Sequence, residues 1–273
     1  MPSWVVTGAS RGIGLEFVRQ LASDPSNVVF ALVRKKDAAK HLLPLVGGNL
    51  YALEADITDH KALKAAAAEV AKVTEGTLDV LINNAAQTAG QYFFTALTEL
   101  ALCSSVSGLI DQPSAPSQYR VNVVGVMYTI NAFLPLLRAG STKKIIALSS
   151  PGGDVEFIRK TDIKFMVAYA ASKAALNMIV LKYAIQLREE GFICTAIIPT
   201  IVNSAAPIVG SNELPPGFQE SVDLIKSVYP DWTPVVLRPE ECAEICLGTI
   251  SKLEAKDNGA FVSAKGGTAL FED

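Results

Sequence analysis

Histidine is nearly absent from this chain, with 2 in 273 residues, and cysteine is sparse at 4. The two histidines, His41 and His60, lie far in sequence from Cys194, Cys242 and Cys246, so the one closely spaced cysteine pair, Cys242 and Cys246, has no histidine partner nearby. No metal site is therefore expected. Cys242 and Cys246 can share one helix face, and with Cys103 and Cys194 they read as buried structural thiols of a reduced, cytoplasmic protein. Uninterrupted apolar runs of about 18 residues are missing, and the opening MPSWVVTGAS has no basic region ahead of an apolar stretch. Neither a signal peptide nor a spanning helix is expected. Basic residues cluster no further than the short run Arg34-Lys35-Lys36 and pairs such as Lys143–Lys144, and the net charge is −3. That balance disfavours nucleic acid and membrane surfaces as partners.

What the chain does have is apolar residues, at 50%, set in short runs that alternate with helical patterns from the start. Runs at residues 4–6, 28–33, 50–53, 78–82, 144–148, 193–198 and 260–262 read as strands. Helical periodicity covers 15–21, 60–73, 121–137, 168–187 and 240–252. Strands apolar on both faces, alternating with helices, predict an α/β fold with about seven parallel strands and helices on both faces. No linker or repeat divides the chain, so residues 1–273 are expected to form one domain. Two stretches break the rhythm: a turn-rich insertion at 103–118, and a proline-containing segment at 201–238 that reads as a substrate loop or lid.

The stretch VVTGASRGIG places Gly8, Gly12 and Gly14 between the first strand and the first helix. Gly8 suits a tight turn, Gly12 lets backbone approach a pyrophosphate, and Gly14 permits close helix packing. The helix N-terminus that follows offers free N–H groups and partial positive charge to phosphates. This is the Rossmann-type, doubly wound arrangement for a dinucleotide. At the end of the second strand comes Val33-Arg34-Lys35 in place of an acidic residue, and Arg11 lies in the glycine turn. Guanidinium forks match a 2′-phosphate, which predicts NADP(H) over NAD(H).

The glycine spacing, Asp56-Ile57 after the third strand, Asn83-Asn84-Ala85-Ala86, Asn122, Ser149-Ser150 and Tyr169-Ala-Ala-Ser-Lys173 occur in one order. Together they resemble the short-chain dehydrogenase/reductase family, in its single-domain, carbonyl-reductase-like branch. The resemblance implies a cofactor site of Gly8, Ser10, Arg11, Gly12, Ile13, Gly14, Arg34, Asp56, Ile57, Asn83, Ala85, Tyr169, Lys173, Pro199 and Val202. It implies a catalytic set of Ser150, Tyr169, Lys173 and Asn122. Tyr169 would give or take the proton, Lys173 would hold the nicotinamide ribose and favour the phenolate, Ser150 would polarise the carbonyl, and Asn122 would maintain a relay water. The expected reaction is hydride transfer that reduces a ketone or aldehyde, or oxidises the alcohol, of an apolar small molecule or biosynthetic intermediate.

Three departures from the family pattern stand out. Ala86 replaces a glycine, Thr200 follows Pro199 where a glycine is usual, and the Ser150–Tyr169 spacing is longer than usual. The added length is expected to bulge outward and leave Ser150 in place, and Asn203 could take over a carboxamide contact. These departures leave room for a non-redox cyclase or isomerase, or a non-catalytic nucleotide sensor, on the same fold. Ile208, Val209, Leu214, Phe218, Ile225, Tyr229 and Trp232, with residues 88–94, are expected to form an apolar substrate wall. The helices at 121–137 and 169–187 are apolar on more than one face, which predicts a homodimer or homotetramer.

Overall fold

Parallel strands that are apolar on both faces must be covered on both sides. The computed structural model, which describes residues 1–88, 93–94, 118–202, 214 and 217–265, is built that way. Its strands are β1 (Ser3–Thr7), β2 (Val28–Val33), β3 (Leu50–Glu54), β4 (Val80–Asn83), β5 (Lys144–Leu148), β6 (Ile193–Ile198), β7 (Ile201–Val202), β8 (Val236–Leu237) and β9 (Phe261–Ser263). Its helices are α1 (Gly12–Ala22), α2 (His60–Thr74), α3 (Val126–Ala139), α4 (Val155–Thr161), α5 (Val167–Gln186), α6 (Gln219–Val228) and α7 (Pro239–Lys252).

Seven strands form one sheet in the order β3-β2-β1-β4-β5-β6-β9, and β7 pairs separately with β8. Every pairing in the large sheet is parallel. Strand side chains alternate between faces, and β1 shows the division. Val5 joins Phe30, Leu81 and Ile145 under α2, α3 and α5, while Val6 joins Ile82, Ile146 and Ile197 under α1 and α7. Each core is closed by helix residues at helical spacing, Ile130, Phe133 and Leu137 on one side and Cys242, Cys246 and Ile250 on the other.

The segment Arg120–Ala139 is long and apolar enough to cross a membrane by length and composition. In this fold Ile130, Phe133 and Leu137 are fully buried against the sheet. The segment begins with a wider π-type turn at Arg120–Gly125 before it tightens into α3.

Two buried charges hold the fold at the end of the sheet away from the glycine turn. Asp79 accepts hydrogen bonds from Ser3 N (2.9 Å) and Ser3 Oγ (3.0 Å) through one oxygen. Its other oxygen accepts from Ser141 N (3.0 Å) and Ser141 Oγ (2.8 Å). Burial raises its pKa, but these donors outweigh that and hold the carboxyl below its usual range. Lys144 Nζ donates to Ile250 O at 2.8 Å, which satisfies an orphan carbonyl in the last turn of α7.

Candidate active site

The sheet winds outward in both directions from the β1–β4 boundary, the place where doubly wound folds hold their ligands. The glycine turn leaves the end of β1 there. Gly8 has φ +70°, a region costly for side-chain-bearing residues, and a Cβ on it would sit 2.8 Å from Ala85 Cα. A Cβ on Gly14 would sit 2.4 Å from the Gly8 carbonyl oxygen. The chain after β4 rivets this turn in place. Asn84 Nδ2 donates to the carbonyls of Thr7 (2.9 Å) and Gly8 (3.2 Å), and Thr7 Oγ1 accepts from the N–H groups of Asn84 (3.1 Å) and Ala85 (3.0 Å).

Helix α1, like α3, α5 and α6, starts without a side-chain cap, unlike α2 and α4. Asp59 caps α2 and Asp154 caps α4, each with its carboxylate on two backbone N–H groups. At α1 the preceding residue is Arg11, with no side-chain cap and no acidic residue in the first turn. The first N–H groups of an eleven-residue helix are thus left for an anion. This uncapped end, beside a turn with no space for a side chain at Gly8 or Gly14, fits the diphosphate of a dinucleotide. Arg11 and Arg34 are exposed and make no ion pair among the described residues.

Other expected cofactor residues take more varied positions. Ser10 is half-buried in the turn, and Ile13 packs partly against the core below α1. Asp56 Oδ1 accepts from both the N–H and the hydroxyl of Thr58, at 2.8 Å each. Ile57 is buried, and a Cβ at Gly125 would meet its Cδ1 at 2.8 Å, so that side chain belongs to the core. Asn83 also turns inward: its Nδ2 donates to Ile146 O at 3.1 Å, and its Oδ1 has no partner among the described residues. Val202 lies in β7, paired with Leu237. The carbonyl of Pro199 accepts a hydrogen bond from the Cys242 thiol at 3.0 Å. The Cys242 and Cys246 sulfurs are 4.0 Å apart, both buried, as their spacing predicts. Thr200, which replaces a glycine, keeps a glycine-like backbone with φ +64°, and its buried Oγ1 has no partner among the described residues. Asn203 lies outside the described residues.

Tyr169 lies in the first turn of α5, and helical spacing places Lys173 one turn further on the same face. Lys173 Nζ donates to Leu148 O at 2.6 Å and lies 5.7 Å from the centre of the Tyr169 ring. Ser150 is the side chain that acts on the Tyr169 phenol, drawing its pKa down against burial, and Ser150 Oγ accepts from Gly152 N at 3.2 Å. Ser149 is committed elsewhere, donating to Asn177 Oδ1 at 2.6 Å, so Ser150 is the serine at the tyrosine.

Electrostatics here depart from expectation. Burial pushes the Tyr169 phenol above its ordinary value, with the Ser150 hydrogen bond only opposing it. Burial also lowers Lys173, to about 8. The protein alone therefore does not favour a phenolate, because desolvation outweighs the influence of Ser150.

Asn122 sits in the π-type turn, a backbone irregularity common at functional sites. Its Oδ1 accepts from Gln87 N (2.8 Å) and its Nδ2 donates to Gln87 O (3.1 Å) and to Ser172 Oγ (3.0 Å). Ser172 in turn donates to the Tyr169 carbonyl at 2.7 Å. In the sequence, Ser172 is only a residue between the tyrosine and the lysine. Its hydroxyl is instead the link between Asn122 and the backbone of Tyr169.

The longer Ser150–Tyr169 connection bulges outward, as expected, and it is folded. Pro151–Gly153 forms a single tight turn, Asp154 caps α4, and Glu156 pairs with Arg159 at the surface. The inner side of α4 carries Phe157, which clusters with Ile163, Phe165 and Ile225, and with partly buried Tyr229 and Trp232. Of the expected lid residues, Ile225, Tyr229 and Trp232 thus pack onto the insertion, while Phe218 meets Phe93 and Phe94. Ile208 and Val209 lie outside the described residues.

Comparison with known proteins agrees with this geometry. The family model for short chain dehydrogenase matches residues 3–209. The short-chain dehydrogenase/reductase atnB of Arthrinium sp is 37% identical over 271 residues, covering 97% of this chain and 98% of that one. The short-chain dehydrogenase/reductase AacuF of Aspergillus aculeatus is 42% identical over 218 residues, 78% of this chain and 79% of that one. Among solved structures, the NADPH-bound carbonyl reductase from chicken fatty liver superposes with a TM-score of 0.76 at 27% identity, covering 98% of each chain. The carbonyl reductase Sniffer of D. melanogaster superposes with a TM-score of 0.75 at 26% identity, again over 98% of each. With the family model spanning most of its length and its motifs gathered at one end of one sheet, the chain belongs to the short-chain dehydrogenase/reductase family of NAD(P)-dependent oxidoreductases.

Proposed function

We propose that this protein is an NADPH-preferring reductase of an apolar ketone or aldehyde, with Tyr169 as the proton donor. One observation carries the reading: the Tyr169 phenol lies one helical turn from a buried lysine whose Nζ is 5.7 Å from its ring, with Ser150 acting on the phenol, beside the switch point of the sheet. A bound nicotinamide supplies the hydride for the carbonyl carbon. Tyr169 Oη delivers the proton to the carbonyl oxygen, and the phenol raised by burial holds that proton until charge develops on the acceptor. Ser150 Oγ donates a second hydrogen bond to the same oxygen, as an oxyanion donor does. Lys173 keeps positive charge near the phenol, and Asn122 fixes the backbone of Tyr169 through Ser172. In the reverse direction Tyr169 accepts the proton from the alcohol.

The preference for NADPH is supported by exposed Arg11 and Arg34 flanking the uncapped start of α1. The carbonyl reductase from chicken fatty liver was solved with NADPH bound. A homodimer or homotetramer is supported by the outer side of α5, where Met178, Leu181 and Ile185 remain 53%, 39% and 51% exposed. Sedimentation that stays monomeric at high concentration contradicts that assembly.

The test is NADPH consumption against a panel of ketones by wild type and Tyr169→Phe. The variant is expected to lose at least about a hundredfold in turnover while binding NADPH unchanged. Full activity in Tyr169→Phe overturns the proton-donor role.

A further inference from the structure

The wall beside Tyr169 is aromatic, and its rings come from separate parts of the chain. Phe93 lies 5.6 Å from the Tyr169 ring, centre to centre, with the planes at 55°. Its carbonyl accepts a hydrogen bond from Met166 N at 2.8 Å, so its backbone is fastened to the residue that precedes the helix of Tyr169. Phe94 stands edge-on to Phe218 at 5.6 Å and contacts Phe165 at 5.9 Å. Phe165 belongs to the buried cluster of the Ser150–Tyr169 insertion, with Phe157 and Ile163. A chain of rings, Phe165–Phe94–Phe93–Tyr169, therefore runs from the insertion to the reacting phenol.

A carbonyl that takes a proton from Tyr169 must lie within about 3 Å of its oxygen. Phe93 borders the Tyr169 ring, and a substrate ring that comes within roughly 4.5–7 Å of it gains a ring-pair contact. Phe93 is only half-buried and Phe94 is 40% exposed, so neither ring is consumed by packing. An aliphatic side chain would cover the same area, but only a ring gains the additional edge and stacking attraction toward another ring.

We propose that Phe93 is a ring platform that selects ketones whose carbonyl is fused to, or borne next to, a planar aromatic ring. The inference rests on the carbonyl-reducing reading and names the substrate class of that site. The insertion has a role in this arrangement: its cluster supplies Phe165, which braces Phe94 and through it the platform.

The experiment compares 2-tetralone with 2-decalone, the same two-ring ketone frame with and without an aromatic ring, in wild type, Phe93→Leu, Phe93→Met and Phe93→Tyr. Wild type is expected to favour the aromatic ketone. Phe93→Leu and Phe93→Met lose about three- to tenfold in kcat/KM for 2-tetralone, mainly through KM, and change little toward 2-decalone. Phe93→Tyr keeps the preference. Equal turnover of both ketones by wild type, or equal loss on both in the aliphatic variants, overturns the platform and leaves the reductase reading intact. Should neither these two ketones nor the wider panel consume NADPH, the reductase reading fails instead. The platform is then decided by calorimetry of 2-naphthol in the presence of NADP⁺. Binding weakened about three- to tenfold in Phe93→Leu but kept in Phe93→Tyr supports it, and equal or absent binding in wild type and Phe93→Leu overturns it.

Discussion

Thr200→Gly is expected to make the protein more stable. Thr200 has φ +64°, which for a β-branched residue costs about 1–3 kcal/mol. Its buried Oγ1 lacks a partner among the described residues, and leaving a buried hydroxyl unpaired costs about 1–3 kcal/mol more. Glycine removes both terms. Against them stand roughly 0.5–1 kcal/mol of extra backbone entropy and about 0.8 kcal/mol for the lost methyl group. From the midpoints, about 4 less about 1.5, the balance is a gain of about 2.5 kcal/mol, or a rise in Tm of about 4 °C for a chain of this size. The assay is urea unfolding of the cofactor-free protein, with the midpoint raised and the slope unchanged. Thr200→Ala separates the contributions, since it removes the hydroxyl but keeps the left-handed strain, and it is expected to recover less than half of the gain. A Thr200→Gly protein no more stable than wild type refutes the strain argument, and equal gains in both variants place the cost in the hydroxyl alone.

Other outcomes follow from the buried charges and the cofactor rim. Because burial lowers Lys173 to about 8, the unfolded chain binds more protons above that pH, so stability rises with pH through that window. Between pH 7 and 9 the gain in the cofactor-free protein is about 1 kcal/mol, and Lys173→Met abolishes it in unfolding titrations across that range. For Asp79, held below its usual range, the stabilisation is present above the unfolded carboxyl's value and lost as pH falls through the folded one. Asp79→Ala is expected to cost about 3 kcal/mol at neutral pH, by chemical denaturation, with the deficit shrinking in acid. Arg34→Ala should raise KM for NADPH about tenfold and leave KM for NADH nearly unchanged in steady-state kinetics. A parallel loss with both cofactors contradicts a phosphate-binding role for Arg34.

The fold was legible wherever a signal is local. Apolar runs such as Val28–Val33 named their strands, and the glycine turn announced its conformation because Gly8 and Gly14 sit where no Cβ fits. Tyr169 and Lys173 were legible because helical spacing alone puts them together. What escaped depends on register between distant segments. Asp79 is an ordinary surface-type residue in sequence until β1 and the turn before β5 bring Ser3 and Ser141 to it. The helical fold of the insertion, and the rings gathered at Phe93, needed the packing of α4 on α6. The upward shift of Tyr169 in the cofactor-free chain was not legible because sequence displays a neighbouring charge but not burial.

Asn122 has a consequence for engineering. By gripping both the N–H and the C=O of Gln87, it ties the chain leaving β4 to the chain returning toward α3, 35 residues later. The clip closes that span independently of what lies inside it, and closure entropy grows only slowly with length. Changes of chain length within that span therefore cost little at the clip itself, while Tyr169, Lys173 and Ser150 lie outside it.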